Sequence, residues 1–336
     1  MRINRRRAIT GIAVSAASGI GSLGGSAAAG SRDPEMVVVV KVAGIPWFQV
    51  LEKGVRQAGA DLGVTASMVG PEHPDPQQQA RLVEAAIDRK VDVIGIVPLD
   101  VNVLAPSLRR ARDAGIRVIA HEGPLQEGRD WDVDLIDPVR FGEIQMESLA
   151  REMEGEGDYI CFVGTLKTPL HNVWCDAAIA IQRMKYPRMR LAAERYACGE
   201  EIDTAEAAMR AALEVNPHIR GAVAFGANGL IGVAGVIKQQ GLGQQVAVVG
   251  TTMPSQAKPL IMAGIIREAF LWSPFDAGYA MVALGRLVHD GQPVTDGMEL
   301  RGVGRVDVDT ANRLVKADRI MRINRDTVDR LIASGL

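Results

Sequence analysis

From Met36 onward the chain alternates short, continuous β-branched runs with longer stretches of helical periodicity, and this alternation limits the fold more than any other feature. The run Met36-Val37-Val38-Val39-Val40-Lys41 has no polar alternation, which marks a strand covered on both faces. Helical spacing follows over Trp47 to Leu62 and stops at Gly63. A strand over Val64–Val69, a helix over Pro76–Arg89, a strand over Val91–Val97, a helix over Val101–Ala114 and a strand over Ile116–Ala120 complete the first set. Strand starts roughly 25 to 30 residues apart are the spacing of βαβ units, so a parallel sheet is expected.

A second set begins after Asp137-Pro138, with helices over Val139–Met153, Asn172–Met184, Thr204–Val215 and Leu230–Gln239. Between them lie strands over Tyr159–Val163, Arg190–Tyr196, Gly221–Phe225 and Gln245–Val249, and then Ile265–Leu271 before the helix Pro274–Val288. Two similar α/β lobes fit this pattern better than one large sheet, with the chain crossing near 135 and again near 272. The expected division is residues 31–135 with 273–298 in the first lobe, and 136–272 with 299–336 in the second.

The chain of 336 residues is long enough for two cores, and 47% hydrophobic with 23% charged residues is a globular composition. No apolar run reaches the roughly 20 residues of a membrane-spanning helix. With 38 Lys+Arg against 40 Asp+Glu there is no basic field to attract nucleic acid. Cys161, Cys175 and Cys198 have no zinc or redox spacing, and a pairing of Cys161 with Cys198 is left open. Neither metal nor cofactor is expected.

Residues 1–30 read as an export signal. Arg5, Arg6 and Arg7 precede any acid, Ala8 to Ala28 is mildly apolar, and Ala27-Ala28-Ala29-Gly30 is a small-residue cleavage site. Consecutive arginines followed by Ala8-Ile9 point to the twin-arginine route and a periplasmic destination. Cleavage near Ala29 removes four arginines and leaves 34 basic against 40 acidic residues. Gly19-Ile20-Gly21-Ser22-Leu23-Gly24 matches the dinucleotide fingerprint, but it precedes the first strand, where no pyrophosphate could meet a helix N-terminus.

Ligands of open parallel sheets bind beyond the carboxyl ends of the strands. Those ends carry Lys41, Trp47 and Phe48, then His121 and Glu122, then His171 and Asn172, then Phe225, Ala227 and Asn228, then Thr252, and last Trp272. No nucleophile stands beside a base. His121 next to Glu122 is the one tempting pair, yet neighbours on a strand point to opposite faces. His121 is therefore read as a structural histidine and the pocket as a binding site. A sugar or polyol suits it: rings cover the C–H faces, and carboxylate, amide and ammonium groups pair with hydroxyls.

Lys41-Val42-Ala43-Gly44-Ile45-Pro46-Trp47-Phe48, with Lys53-Gly54-Val55 and Ala58, resembles the opening of periplasmic solute-binding proteins of sugar ABC importers. It is most similar to the branch that binds autoinducer-2 or rhamnose. Ala114-Gly115-Ile116 through Glu122, Phe270-Leu271-Trp272 and Leu300-Arg301-Gly302-Val303-Gly304 extend the likeness over residues 36 to 330. The resemblance implies two Rossmann-like lobes joined by a multi-strand hinge, the type I periplasmic binding protein fold. It also implies a sugar ligand in the interlobe cleft, a membrane permease with its ATPase subunit as partners, and a monomer with no enzymatic activity.

The family's lysine falls on Lys41, its acidic residue after the fourth strand on Glu122, its aromatic pair on Trp47 and Phe48, and its alanine on Ala227. Leu170-His171 stands where that branch carries Asp-Gln, and Phe225 where it carries proline. The implied ligand is thus a carbohydrate such as a rhamnose-like deoxysugar, another monosaccharide or a polyol, with autoinducer-2 as the alternative. An exported α/β enzyme is a more distant alternative, and a sensor role is not separable from transport by sequence.

Overall fold

The computed structural model describes residues 32–198 and 200–336. The expected export signal at residues 1–30, with the Gly19–Gly24 motif inside it, lies outside the described residues.

The first half runs β1 (Glu35–Val39), α1 (Pro46–Leu62), β2 (Thr65–Val69), α2 (Pro76–Asp88), β3 (Val93–Ile96), α3 (Val101–Asp113), β4 (Arg117–Ala120) and β5 (Trp131–Asp134). Next come α4 (Pro138–Glu152), β6 (Glu156–Val163), α5 (Pro169–Lys185), β7 (Arg188–Leu191), β8 (Tyr196–Ala197), α6 (Ile202–Val215), β9 (Ile219–Ala224), α7 (Ala227–Gln239), β10 (Ala247–Thr251), α8 (Pro254–Met262) and β11 (Ile266–Leu271). The chain closes with α9 (Pro274–His289), β12 (Glu299–Leu300), β13 (Gly304–Arg305), β14 (Asp307–Asp309), β15 (Leu314–Lys316), β16 (Met321–Ile323) and α10 (Val328–Ala333).

Local chemistry sets the strand-to-helix turns. Proline opens α1, α2, α4, α5, α8 and α9, where its fixed φ suits a first turn whose N–H groups have no helical partner. Asp75, Asp100 and Asp137 cap α2, α3 and α4 by accepting backbone N–H bonds.

Most strands form two sheets, ordered β2-β1-β3-β4-β5-β15-β14 and β7-β6-β9-β10-β11-β16, with β8 also paired to β6, while β12 and β13 form a separate two-stranded sheet. Every pairing within the two large sheets is parallel except those of β14 with β15 and of β16 with β11. Both sheets repeat one doubly wound order, with the reversal of winding between β1 and β3 in the first and between β6 and β9 in the second. Crevices for ligands open at such switch points. The uniform apolar run of β1 is explained by coverage on both faces: Val37 and Val39 pack toward α2 and α3, whereas Met36, Val38 and Val40 join the larger core with α1 and α9.

The chain crosses between the sheets after β5, after β11 and after β15. The tail corrects the expected division of residues 299–336. Strand β15 pairs with β5, matching Val315 with Val133, and carries β14 with it, so residues 307–316 extend the first sheet. Only β16 joins the second, placing Ile323 against Ala269. Strands of three residues carry no pattern that chooses an edge; the open edges of the two sheets make that choice. Two further elements, β5 and α8, are absent from the sequence reading because neither is long enough to show a period.

Glycine permits the tightest helix contact. A Cβ on Gly278 of α9 would lie 2.2 Å from the Leu51 carbonyl oxygen, and one on Gly54 of α1 would lie 1.9 Å from that of Phe275. Both obstacles are backbone, so neither helix can yield locally. Gly278→Ala should therefore lower unfolding stability by about 1–3 kcal/mol. Urea denaturation measures this, and an unchanged midpoint would contradict the packing.

Candidate functional site

The carboxyl ends of the two sheets face one another across a narrow cleft. Lys41, Trp47, Phe48 and Glu122 line it from the first lobe, and His171, Phe225 and Ala227 from the second, with Trp272 at the crossover after β11. Ile45, Trp174, Glu200 and Thr251 complete the lining.

A buried ion triad lies at the centre. Lys41 Nζ is 2.8 Å from Glu122 Oε2 and 3.3 Å from Glu200 Oε1, so one ammonium joins carboxylates of both lobes. Lys41 and Glu122 are each 4% exposed and Glu200 is 5%. Burial works against the charge on Lys41, but the two carboxylates outweigh it and raise its pKa. Burial likewise opposes the charge on Glu122, yet Lys41, followed by His121 and His171, holds its carboxyl below the usual range.

Backbone geometry places both acids. Glu122 follows β4 with φ +56°, a left-handed conformation that costs an ordinary side chain about 1–2 kcal/mol. Two aspartates of β5 secure this turn: Asp134 Oδ1 accepts from the Glu122 N–H at 3.0 Å and Asp132 Oδ1 from the Gly123 N–H at 3.2 Å. Glu200, in the loop between β8 and α6, is also left-handed at φ +62°.

His171 is neutral. Its Nδ1 accepts the Gly164 N–H at 3.0 Å, so the 3.6 Å approach of that nitrogen to Glu200 is no ion pair. Burial, with Lys41 nearby, lowers its pKa to about 4. His121 behaves oppositely. Its Nδ1 donates to the Val133 carbonyl at 2.6 Å and lies 3.3 Å from Asp134 Oδ1. Burial opposes protonation, but Asp134 and Glu122 raise its pKa to about 9. The expected separation of His121 from Glu122 onto opposite faces is corrected, because the chain leaves strand geometry at Glu122. Their side chains approach to 3.9 Å, without a hydrogen bond, and His121 is not among the lining residues.

The aromatic wall is continuous. Trp47 and Trp272 meet edge to face at 4.9 Å, Trp272 and Trp174 at 5.6 Å, and His171 stacks on Trp174 at 5.2 Å. The indole N–H groups of Trp174 and Trp272 are buried without a hydrogen-bond partner among the described residues, an unmet donor capacity of the kind a polar ligand satisfies.

Three expected site residues lie elsewhere. Asn172 donates to the Thr165 and Thr168 carbonyls at 3.0 and 2.7 Å and accepts from Arg195 at 3.0 Å. Helix α5 begins at Pro169, three residues before the expected start, which puts His171 and Trp174 on one face, i and i+3, and turns Asn172 aside. Asn228 lines a neighbouring groove with His73 and Glu201, its Nδ2 donating to the Glu200 carbonyl at 3.2 Å. Strand β10 ends at Thr251, which lines the cleft in place of Thr252. Spacing from His171 could have found Trp174, and the carboxyl end of the strand read at Arg190–Tyr196 could have found Glu200. The three cysteines are free and buried; Cys198 Sγ donates to the Val163 carbonyl at 3.1 Å.

The histidines set opposite pH limits. His121, with a native pKa near 9 against about 6.5 unfolded, contributes stability that is complete below pH 6.5 and lost as pH rises through 9. His171, with a native pKa near 4, contributes stability present above pH 6.5 and lost as pH falls toward 4. In His121→Gln, the wild-type decline in stability between pH 6.5 and 9 should flatten, while the acid decline persists. Urea titrations across that range check this, and an unchanged alkaline limb would refute the role given to His121.

Comparison with known proteins places this geometry. The family model described as "Periplasmic binding protein domain" matches residues 36–293. The D-apiose import binding protein of Actinobacillus succinogenes is 22% identical over 274 residues, covering 81% of this chain and 87% of that protein. The structure of LsrB from Clostridium saccharobutylicum in complex with AI-2 superposes with a TM-score of 0.82 at 18% identity, covering 88% of this chain and 99% of the other. A solute-binding protein of an ABC transporter from Clostridium phytofermentas, solved with L-rhamnose, has the same TM-score at 19% identity, covering 90% and 98%. These likenesses establish the two-lobed type I architecture. By fold and by family model, the chain belongs to the periplasmic binding protein domain family.

Proposed function

We propose that this protein is the carbohydrate-binding component of an ABC importer, holding one small neutral sugar or deoxysugar between its lobes and presenting it to a membrane permease. The observation that carries this reading is the buried Lys41 between Glu122 and Glu200, walled by Trp47, Trp174 and Trp272. Such a site fits a ligand with hydroxyls at its edge and C–H faces above and below. Carboxylates accept hydroxyl protons through charge-assisted bonds, and indole rings cover the faces.

A ligand touching both lobes favours the closed form by its difference in affinity for the two states. The three crossings after β5, β11 and β15 are the segments about which closure would occur. The basic and small-residue pattern of residues 1–30 supports export with cleavage near Ala29. A monomer, free to dock, suits this role. Among the described residues no helix is long and apolar enough to cross a membrane.

A thermal-shift panel of pentoses, hexoses, deoxysugars, polyols and autoinducer-2 tests the reading. Ligand at about 1,000 times its Kd should stabilise the native state by about 4 kcal/mol and raise Tm by several degrees. Glu122→Ala should bind the same ligand tenfold to a hundredfold more weakly, the loss expected for a charge-assisted hydrogen bond. A panel without a shift would overturn the proposal, as would unchanged affinity in the variant for its site.

A further inference from the structure

We infer that Glu200 is a ligand-binding residue that sets specificity, its carboxylate accepting a hydroxyl proton from the second lobe while Glu122 accepts one from the first. The inference rests on the carbohydrate reading above. It adds to that reading a required pair of hydroxyl donors, one met from each lobe.

The carboxylate of Glu200 is buried, lines the cleft and, among the described residues, receives one hydrogen bond, the 3.3 Å contact from Lys41. A carboxylate offers about four lone-pair sites, so most of the accepting capacity that Glu200 turns to the cleft is left for a ligand. Its own lobe does not supply the missing donors. The nearby Gly164 N–H is committed to His171 Nδ1, and the Asn228 amide donates to the Glu200 backbone carbonyl. An acceptor left in this condition is stabilised by a ligand that brings its own donors.

The space around the carboxylate is also built. A Cβ on Gly164 would lie 2.5 Å from Glu200 Oε1, and one on Gly226 would lie 3.1 Å from Oε2. The two glycines follow β6 and β9, the strands that flank the switch point of the second sheet. With φ at +62°, Glu200 stands in a backbone conformation that its surroundings must enforce. Strain, a cradle without Cβ atoms and unused acceptors coincide on one side chain facing the cleft.

Calorimetry with L-rhamnose, D-arabinose and D-apiose, and with the monodeoxy analogues of whichever binds, separates this role from a structural one. Glu200→Gln should weaken the parent sugar tenfold to a hundredfold. One monodeoxy analogue, lacking the hydroxyl that meets Glu200, should bind wild type and Glu200→Gln equally, whereas every other analogue should keep the full difference. A merely structural residue would weaken all analogues by a common factor, and that result, or unchanged affinity for the parent sugar, would overturn the inference. If Glu200→Gln does not fold, the same series on Glu200→Asp carries the test, with the same analogue expected to be indifferent. Failure of wild type to bind any sugar would overturn the carbohydrate reading and this inference together. Wild-type binding with an insensitive Glu200→Gln would overturn the inference alone.

Discussion

One ammonium group sits where two sheets meet. Lys41 Nζ touches a carboxylate from each lobe, and the other groups of the cleft are arranged around that triad. A buried ion is tolerable only with partners in good geometry, and removing one partner of such a set commonly costs about 3–5 kcal/mol. The site accordingly spends structure on holding the acids still. Asp132 and Asp134 fasten the left-handed turn at Glu122, and Gly164 and Gly226 clear space for Glu200.

The histidines show how placement outranks residue type. His121 and His171 are both buried and both near Glu122, yet one is pushed toward pKa 9 and the other toward 4. The difference lies in their partners. His121 Nδ1 faces a carbonyl and Asp134, which reward a proton, whereas His171 Nδ1 faces the Gly164 N–H, which forbids one. The cleft therefore sets a neutral imidazole beside the Lys41 ammonium and its two acidic partners. That combination offers donors and acceptors of the kind hydroxyl groups pair with.

Much of the fold was legible because the strands of parallel sheets, covered on both faces, write themselves as unbroken apolar runs. Lys41, Trp47, Phe48, Glu122, Phe225 and Trp272 were legible for a related reason: a ligand in such a fold meets the carboxyl ends of strands, and those ends follow from the strands. Errors of two or three residues at an element boundary were enough to misplace a side chain. Thr252 for Thr251 and Asn172 for Trp174 are both of this kind, since one step along a strand or helix redirects the side chain to another face.

The sequence by itself determined the alternation of strands and helices, the division into two α/β lobes and most of the residues at the strand ends. These depend on local periodicity, turn chemistry and the handed connectivity of parallel sheets, all of which short stretches of chain encode. Only the tertiary structure decided that residues 307–316 complete the first sheet, that Lys41 joins Glu122 to Glu200, and that the two histidines differ in charge. The strand pairing and the ion triad are meetings between segments tens to hundreds of residues apart, and the histidine states depend on which groups the folded chain packs around each ring. Distance across a cleft, exclusion of water and the competition of partners for one proton have no counterpart in local pattern.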